Sequence, residues 1–156
     1  MHIAIDLDGT VVSSAHAYDD LDTPLRLLPG AKEGLRALKR AGHRLILYSA
    51  RANRSLWEDP NLDPLVRVGV VRINRSAWEK SKELHLARYR QMIDFANAEL
   101  PGIFDAVDDG KQGKPMADLF LDDLAIRVGH GAAALTWPQV AAIYGEPDYA
   151  NRPETA

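Results

Sequence analysis

The chain has 156 residues, a formal net charge of −3 and a sequence pI of about 5.9, which suits one domain of ordinary length. It contains no cysteine, which excludes disulfides, a thiolate nucleophile and Cys-based zinc sites and agrees with a reducing cytoplasm, our expected location. The thinly spread cations argue against a dedicated duplex-binding surface, no apolar run approaches the roughly 20 residues of a membrane span, and the first five residues are too few for a signal-peptide core.

Residues 2–7 (HIAIDL) read as a short buried strand ended by the turn Asp8-Gly9-Thr10. Residues 11–28 lack periodicity and hold Asp19, Asp20 and Asp22, so they read as a flap or extended loop. After Pro29-Gly30, residues 31–41 form a helix with Ala31, Leu35 and Leu38 on one face and Gly42 as its stop. Residues 43–48 form a second strand that ends at Ser49-Ala50-Arg51, which completes the βαβ rhythm of a parallel sheet. Residues 52–82 are a small insert, with loop or short helix over 52–64 and a strand over 65–73.

The longest helix is expected over residues 80–100, stopped by Pro101-Gly102. Lys80, Lys82, Arg88 and Arg90 alternate there with acids and apolar residues and read as a solvated face. A short strand over 103–107, a loop over 108–115, a strand over 117–121 and a last strand over 125–128 follow. Thr136-Trp137-Pro138-Gln139 has capping-box spacing, so a helix to Tyr144 is expected. The domain is taken as residues 1–147, with a disordered tail over 148–156. The expected fold is a single-domain three-layer α/β/α sandwich around a mostly parallel, Rossmann-like sheet.

Chemistry gathers at the strand ends. Asp6 and Asp8 stand at the first strand, Ser49 at the second, and Asp122 with Asp123 at a late one. Ligands of open parallel sheets bind beyond the strands' carboxyl ends, so these residues can converge although they are distant in sequence. Side chains at i and i+2 share a strand face, so Asp6 and Asp8 can address one atom. Gly9 permits a sharp exit and Thr10 can hydrogen-bond locally to hold the turn. Carboxylates crowded in one pocket repel one another, and Mg²⁺ with oxygen ligands resolves the conflict. With the cation present, Asp6 can attack phosphorus as a carboxylate. Ser49 offers a hydroxyl, and Lys114, or alternatively Lys111, a cation for the phosphoryl charge.

In this arrangement the chain resembles the haloacid dehalogenase superfamily. Asp6-Leu7-Asp8-Gly9-Thr10 matches its Asp-x-Asp-x-Thr motif, Ser49 in LILYSAR its second, Lys114 in GKPMADL its third and Asp122-Asp123 in LFLDD its fourth, all in family order. The resemblance implies that Asp6 is nucleophile and metal ligand. Asp8 is general acid and then base, and touches the metal through its backbone carbonyl, which leaves its carboxyl free. Ser49 and Lys114 hold the phosphoryl group, beside Gly9, Thr10, Ala50 and Arg51. Asp122 and Asp123 complete the Mg²⁺ site.

The short segments at 11–28 and 52–82 imply a capless or minimally capped member. Such members act on large substrates or take a second copy of the chain as lid. A phosphorylated small molecule, such as a sugar phosphate or nucleotide, is the expected substrate. Capless polynucleotide 3′-phosphatases make a nucleic-acid end the alternative. Two further readings stand beside hydrolysis: a phospho-acceptor that does not turn over, and a silent binding domain on the same fold.

The bland readings are structural. Arg51 is as well explained by a salt bridge as by substrate binding. His16, His43, His85 and His130 lack metal-ligand spacing and read as structural, and Trp57 and Trp78 read as packing residues before substrate platforms.

Overall fold

The computed structural model describes residues 1–13, 17, 19–52, 74–111, 114–122 and 135–145. The expected strands at 65–73 and 125–128, Asp123, His16, His130, Trp57 and the tail lie outside them. The first strand, β1 (His2–Asp6), has Ile3, Ala4 and Ile5 fully buried. An apolar run buried on both faces is what a central parallel strand requires.

Three more strands make the sheet: β2 (Arg44–Tyr48), β3 (Ala106–Val107) and β4 (Leu119–Leu121). The order is β3-β2-β1-β4 and every pairing is parallel. The fold among the described residues is therefore α/β, with a four-stranded all-parallel sheet and three helices, compatible with a Rossmann-like arrangement.

The register carries the functional argument. Asp6 pairs with Tyr48 and Ala4 with Ile46, while Ala4 also pairs with Phe120 and Ile5 with Leu121. Ala4, Asp6, Tyr48 and Phe120 therefore share one sheet face, and Ile5, Leu47 and Leu121 share the other.

Helix α1 (Ala31–Arg40) buries Ala31, Gly34, Leu35 and Leu38. Glu33 in its first turn and Lys39 and Arg40 in its last match the helix dipole. It ends in a Schellman motif. Gly42 has φ 83°, its N–H donates to the Lys39 carbonyl (3.1 Å), and the His43 N–H donates to that of Leu38 (3.3 Å). The motif leaves His43 outside β2, where its buried Nε2 lies 2.6 Å from the Tyr144 carbonyl oxygen, a structural role as expected.

Helix α2 (Arg75–Glu99) begins five residues before the expected start, so the insert ends near residue 74 and not 82. Asn74 sets the start, its Oδ1 accepting from the Ala77 N–H at 3.2 Å. The early turns are mostly exposed, so apolar periodicity marks only the later part, where Met92, Ala96 and Leu100 enter the core. Trp78 stays on this helix under Lys82, whose Nζ lies 5.1 Å from the ring centroid.

The third helix, α3 (Trp137–Tyr144), starts at the expected Thr136–Gln139 capping box, with Gln139 Oε1 accepting from the Thr136 N–H at 2.8 Å. Trp137 is 2% exposed and packs onto Gly34, where a Cβ would meet Trp137 Cε3 at 2.6 Å. Its Nε1 donates to the Thr10 carbonyl at 2.8 Å, tying α3 to the turn after β1.

The short strands are pinned from outside. Asp105 Oδ2 accepts from the Leu45 N–H (2.8 Å), the Asp105 N–H donates to the Leu45 carbonyl (2.8 Å), and Lys39 Nζ donates to Asp105 Oδ1. The charged Lys39 and the Leu45 N–H hold the Asp105 carboxyl below its usual pKa. Asp118 likewise accepts from the His2 N–H at 2.7 Å and aligns β4 with β1.

Candidate active site

The exit from β1 is a tight loop. Gly9 has φ 83°, a conformation a side chain would strain, and its N–H donates to the Val12 carbonyl at 2.8 Å. The Val11 and Val12 N–H groups both donate to the Leu7 carbonyl, at 3.0 and 2.9 Å. Thr10 is buried, but its hydroxyl finds no hydrogen-bond partner among the described residues. The turn is held through backbone and through the Thr10 carbonyl taken by Trp137, so the expected side-chain role of Thr10 is corrected.

Asp6 lies at the end of β1, and Asp122 follows directly on β4. The Ile5 that precedes Asp6 pairs with Leu121, the residue that precedes Asp122. Tyr48, the register partner of Asp6 on β2, feels both. Burial first, then the charges of Asp122, Asp6 and Asp108, raise its phenol pKa above the ordinary value. Asp108, one residue beyond β3, is itself raised by burial, against the Gly110 N–H that its Oδ1 accepts. Sequence reasoning left Asp108 in a loop, although an acid directly after a strand was the same signal that singled out Asp6.

Lys114 belongs to this face. Its Nζ lies 4.1 Å from the Phe120 ring centroid and 5.5 Å from that of Tyr48, and the two rings meet edge to face at 5.9 Å. Lys111 is exposed, and its backbone N–H donates to Asp109 Oδ1 at 3.1 Å. Of the two lysines, Lys114 is the one that shares the Asp6 and Tyr48 face.

The second cluster centres on Asp8. Both its carboxylate oxygens accept from Arg51, Oδ2 from Nε and Oδ1 from Nη2, each at 2.6 Å. This is the bidentate fork that guanidinium and carboxylate form best. Arg51 Nη1 donates onward to Gln91 Oε1 at 2.7 Å, and Gln91 Nε2 donates to the Leu21 carbonyl at 3.2 Å. The resemblance left the Asp8 carboxyl free, whereas here it is engaged, and Arg51 takes the ion-pair role.

Arg88 Nη2 approaches Asp8 Oδ2 at 3.9 Å, and Arg88 is only 7% exposed. Its place on a solvated face is therefore corrected. Burial and the Arg51 charge lower its pKa, against Asp8. His85, one turn earlier and also buried, has its pKa lowered by burial and then by Arg88. Nothing in the local sequence marked Arg88 or Gln91, because helix packing alone turns them inward.

Ser49 joins the clusters. It is buried, and its Oγ accepts from the Arg51 N–H at 3.2 Å, capping a 3₁₀ turn over Ala50–Ala52 whose Ala52 N–H donates to the Ser49 carbonyl at 2.9 Å. The Ser49 hydroxyl proton remains as a donor.

Among the described residues no group of three or more His, Asp or Glu side chains is gathered to hold a metal. Asp6 and Asp122 both act on the Tyr48 phenol, and two carboxylates suit Mg²⁺, which keeps several waters and takes one or two carboxylates. No helix among the described residues is long and apolar enough to cross a membrane. Comparison of the chain with family models, with curated proteins and with solved structures finds no match.

Proposed function

We propose that the chain is a Mg²⁺-dependent phosphomonoester hydrolase of the haloacid dehalogenase type, on a single-domain three-layer α/β/α sandwich. The observation that carries the reading is that Asp6, the register partner of Tyr48, and Asp122, the residue after the Leu121 that pairs with Ile5, both raise the Tyr48 phenol pKa behind burial. Asp6 and Asp122 would hold Mg²⁺, with Asp123, and Asp8 through its backbone carbonyl, completing the set the resemblance implies. When bound, the cation offsets the repulsion between anionic nucleophile and anionic phosphate.

The chain's own residues do the rest. An Asp6 carboxylate oxygen attacks phosphorus, the ester P–O bond breaks, and the leaving oxygen takes its proton from Asp8. Asp8 then takes a proton from water, whose oxygen attacks phosphorus, releasing inorganic phosphate and restoring Asp6. A carboxylate offers about four lone-pair sites, so the two Arg51 bonds leave room for this exchange. The Ser49 hydroxyl and the Lys114 ammonium bind the phosphoryl oxygens. The substrate class is a phosphorylated small molecule, with a polynucleotide 3′-phosphate as alternative, and the location is the cytoplasm.

The test is release of phosphate from p-nitrophenyl phosphate. Activity should require Mg²⁺, vanish with chelator and return on metal readdition. Chelator-insensitive turnover, or Asp6→Asn activity equal to wild type, rejects the reading. The engaged Asp8 favours one second reading, a phospho-acceptor with slow turnover. It predicts an acid-stable phosphoprotein whose lifetime Asp8→Asn does not lengthen.

A further inference from the structure

The observation is a relay of four donated hydrogen bonds that runs from Asp8 through Arg51 and Gln91 to the Leu21 carbonyl. Arg51 is 6% exposed, with every nitrogen committed: Nε and Nη2 to the two Asp8 oxygens, Nη1 to Gln91 Oε1. Gln91 is in turn held by α2 and by the bond from its Nε2 to the Leu21 carbonyl. The guanidinium is a rigid plane, so contacts on its two sides fix its rotation as well as its place. Gln91 supplies the contact on the side away from Asp8.

We propose that Gln91 is a positioning residue for the acid/base Asp8, acting through the plane of Arg51. The inference rests on the phosphatase reading above. A proton donor must meet the leaving oxygen at hydrogen-bond distance, and small displacements there cost large factors in rate. Loss of Gln91 Oε1 frees Arg51 to rotate and carries the Asp8 carboxylate with it. The loss should therefore fall on the step that Asp8 serves in Asp6 phosphorylation, protonation of the departing oxygen. That step matters most for an alkyl leaving group and least for p-nitrophenolate, which departs without a proton.

The test compares kcat/KM, which reports the phosphorylation half-reaction, for an alkyl phosphate and for p-nitrophenyl phosphate. Gln91→Met removes both side-chain hydrogen bonds. Gln91→Glu keeps an acceptor for Arg51 and loses the donor to Leu21. Gln91→Met should raise the preference for p-nitrophenyl phosphate over the alkyl ester about tenfold, a part of the roughly 10²–10⁴ that general acids contribute, and Gln91→Glu should restore the wild-type preference. Equal loss on both substrates, or Gln91→Glu as altered as Gln91→Met, overturns the proposal in favour of a merely structural bond to the 21–25 segment. A wild-type chain that releases phosphate from neither ester overturns the phosphatase reading and this inference together.

Discussion

Two carboxylates stand two residues apart, Asp6 at the end of β1 and Asp8 in the turn beyond it, and meet different surroundings. Asp8 is clamped by Arg51, with Arg88 at 3.9 Å, so the chain supplies its counter-charge. Asp6, Asp122 and Asp108 all bear on the Tyr48 phenol, whose pKa their charges raise after burial. A clamped carboxylate contributes to folding. Carboxylates gathered around one phenol are the groups a bound cation would serve. The comparison suggests that the Asp8 side serves both stability and proton transfer, and the Asp6 side chiefly catalysis.

The largest expected effect tests the Asp6 side. Asp6→Asn should lower phosphate release by on the order of 10³-fold or more, since loss of a covalent nucleophile leaves only binding and electrostatic terms.

Asp8→Asn should lower stability. It strips Arg51 of its charge partner while the Arg51 side chain is 5% exposed and that of Asp8 29%. Removing one partner of a fully buried pair costs about 3–5 kcal/mol, and the exposure of Asp8 reduces this to about 2–3 kcal/mol. A melt should fall by about 5–10 °C. An Asp8→Asn melt equal to wild type would show that the Arg51 pair contributes nothing to the fold.

A change outside both clusters sharpens the comparison. Gly34→Ala puts a methyl 2.6 Å from Trp137 Cε3, and Trp137 holds the Thr10 carbonyl just beyond Asp8. Overpacking of this kind costs about 1–3 kcal/mol. If the indole shifts, the strain reaches the β1 exit, so both stability and p-nitrophenyl phosphate turnover should fall. A stable Gly34→Ala protein with unaltered Trp137 fluorescence would uncouple α3 from the turn.

How much of this was legible in the sequence divides along the same line. β1 and its turn were readable because an apolar run ends in Asp-Gly, and α1 because Gly42 stops a three- and four-step apolar pattern. Thr136 and Gln139 announced α3 through capping spacing alone. That Asp6 and Asp122 stand at the ends of strands was also readable, because each closes an apolar run. The Asp8 cluster was illegible in its main parts. Arg51 could be seen near Ser49 but not its direction, and Arg88 and Gln91 lie on a helix whose rotation is set by the core contacts of Met92 and Ala96. The start of α2 was missed because Asn74 fixes it by a cap while the next residues carry no apolar stripe.

The smallest expected effect reads the field at Tyr48 directly. Its pKa is raised by burial and by Asp122, Asp6 and Asp108, and Asp8 is not among the causes. The folded state therefore keeps the phenolic proton at pH values where the unfolded chain, near 10.0, loses it. Stability from this group is intact below about pH 10 and declines as pH rises through the folded value, because the native state binds more protons there. Alkaline absorbance titration of each variant, less the same variant carrying Tyr48→Phe, isolates this one phenol among five tyrosines. Asp122→Asn should move its midpoint down the most, Asp6→Asn less, and Asp8→Asn not at all. Burial keeps the midpoint above 10.0 in every case. A midpoint that follows Asp8→Asn as closely as Asp6→Asn would mean that the two carboxylates share one field, and the division between a clamped side and a crowded side would be lost.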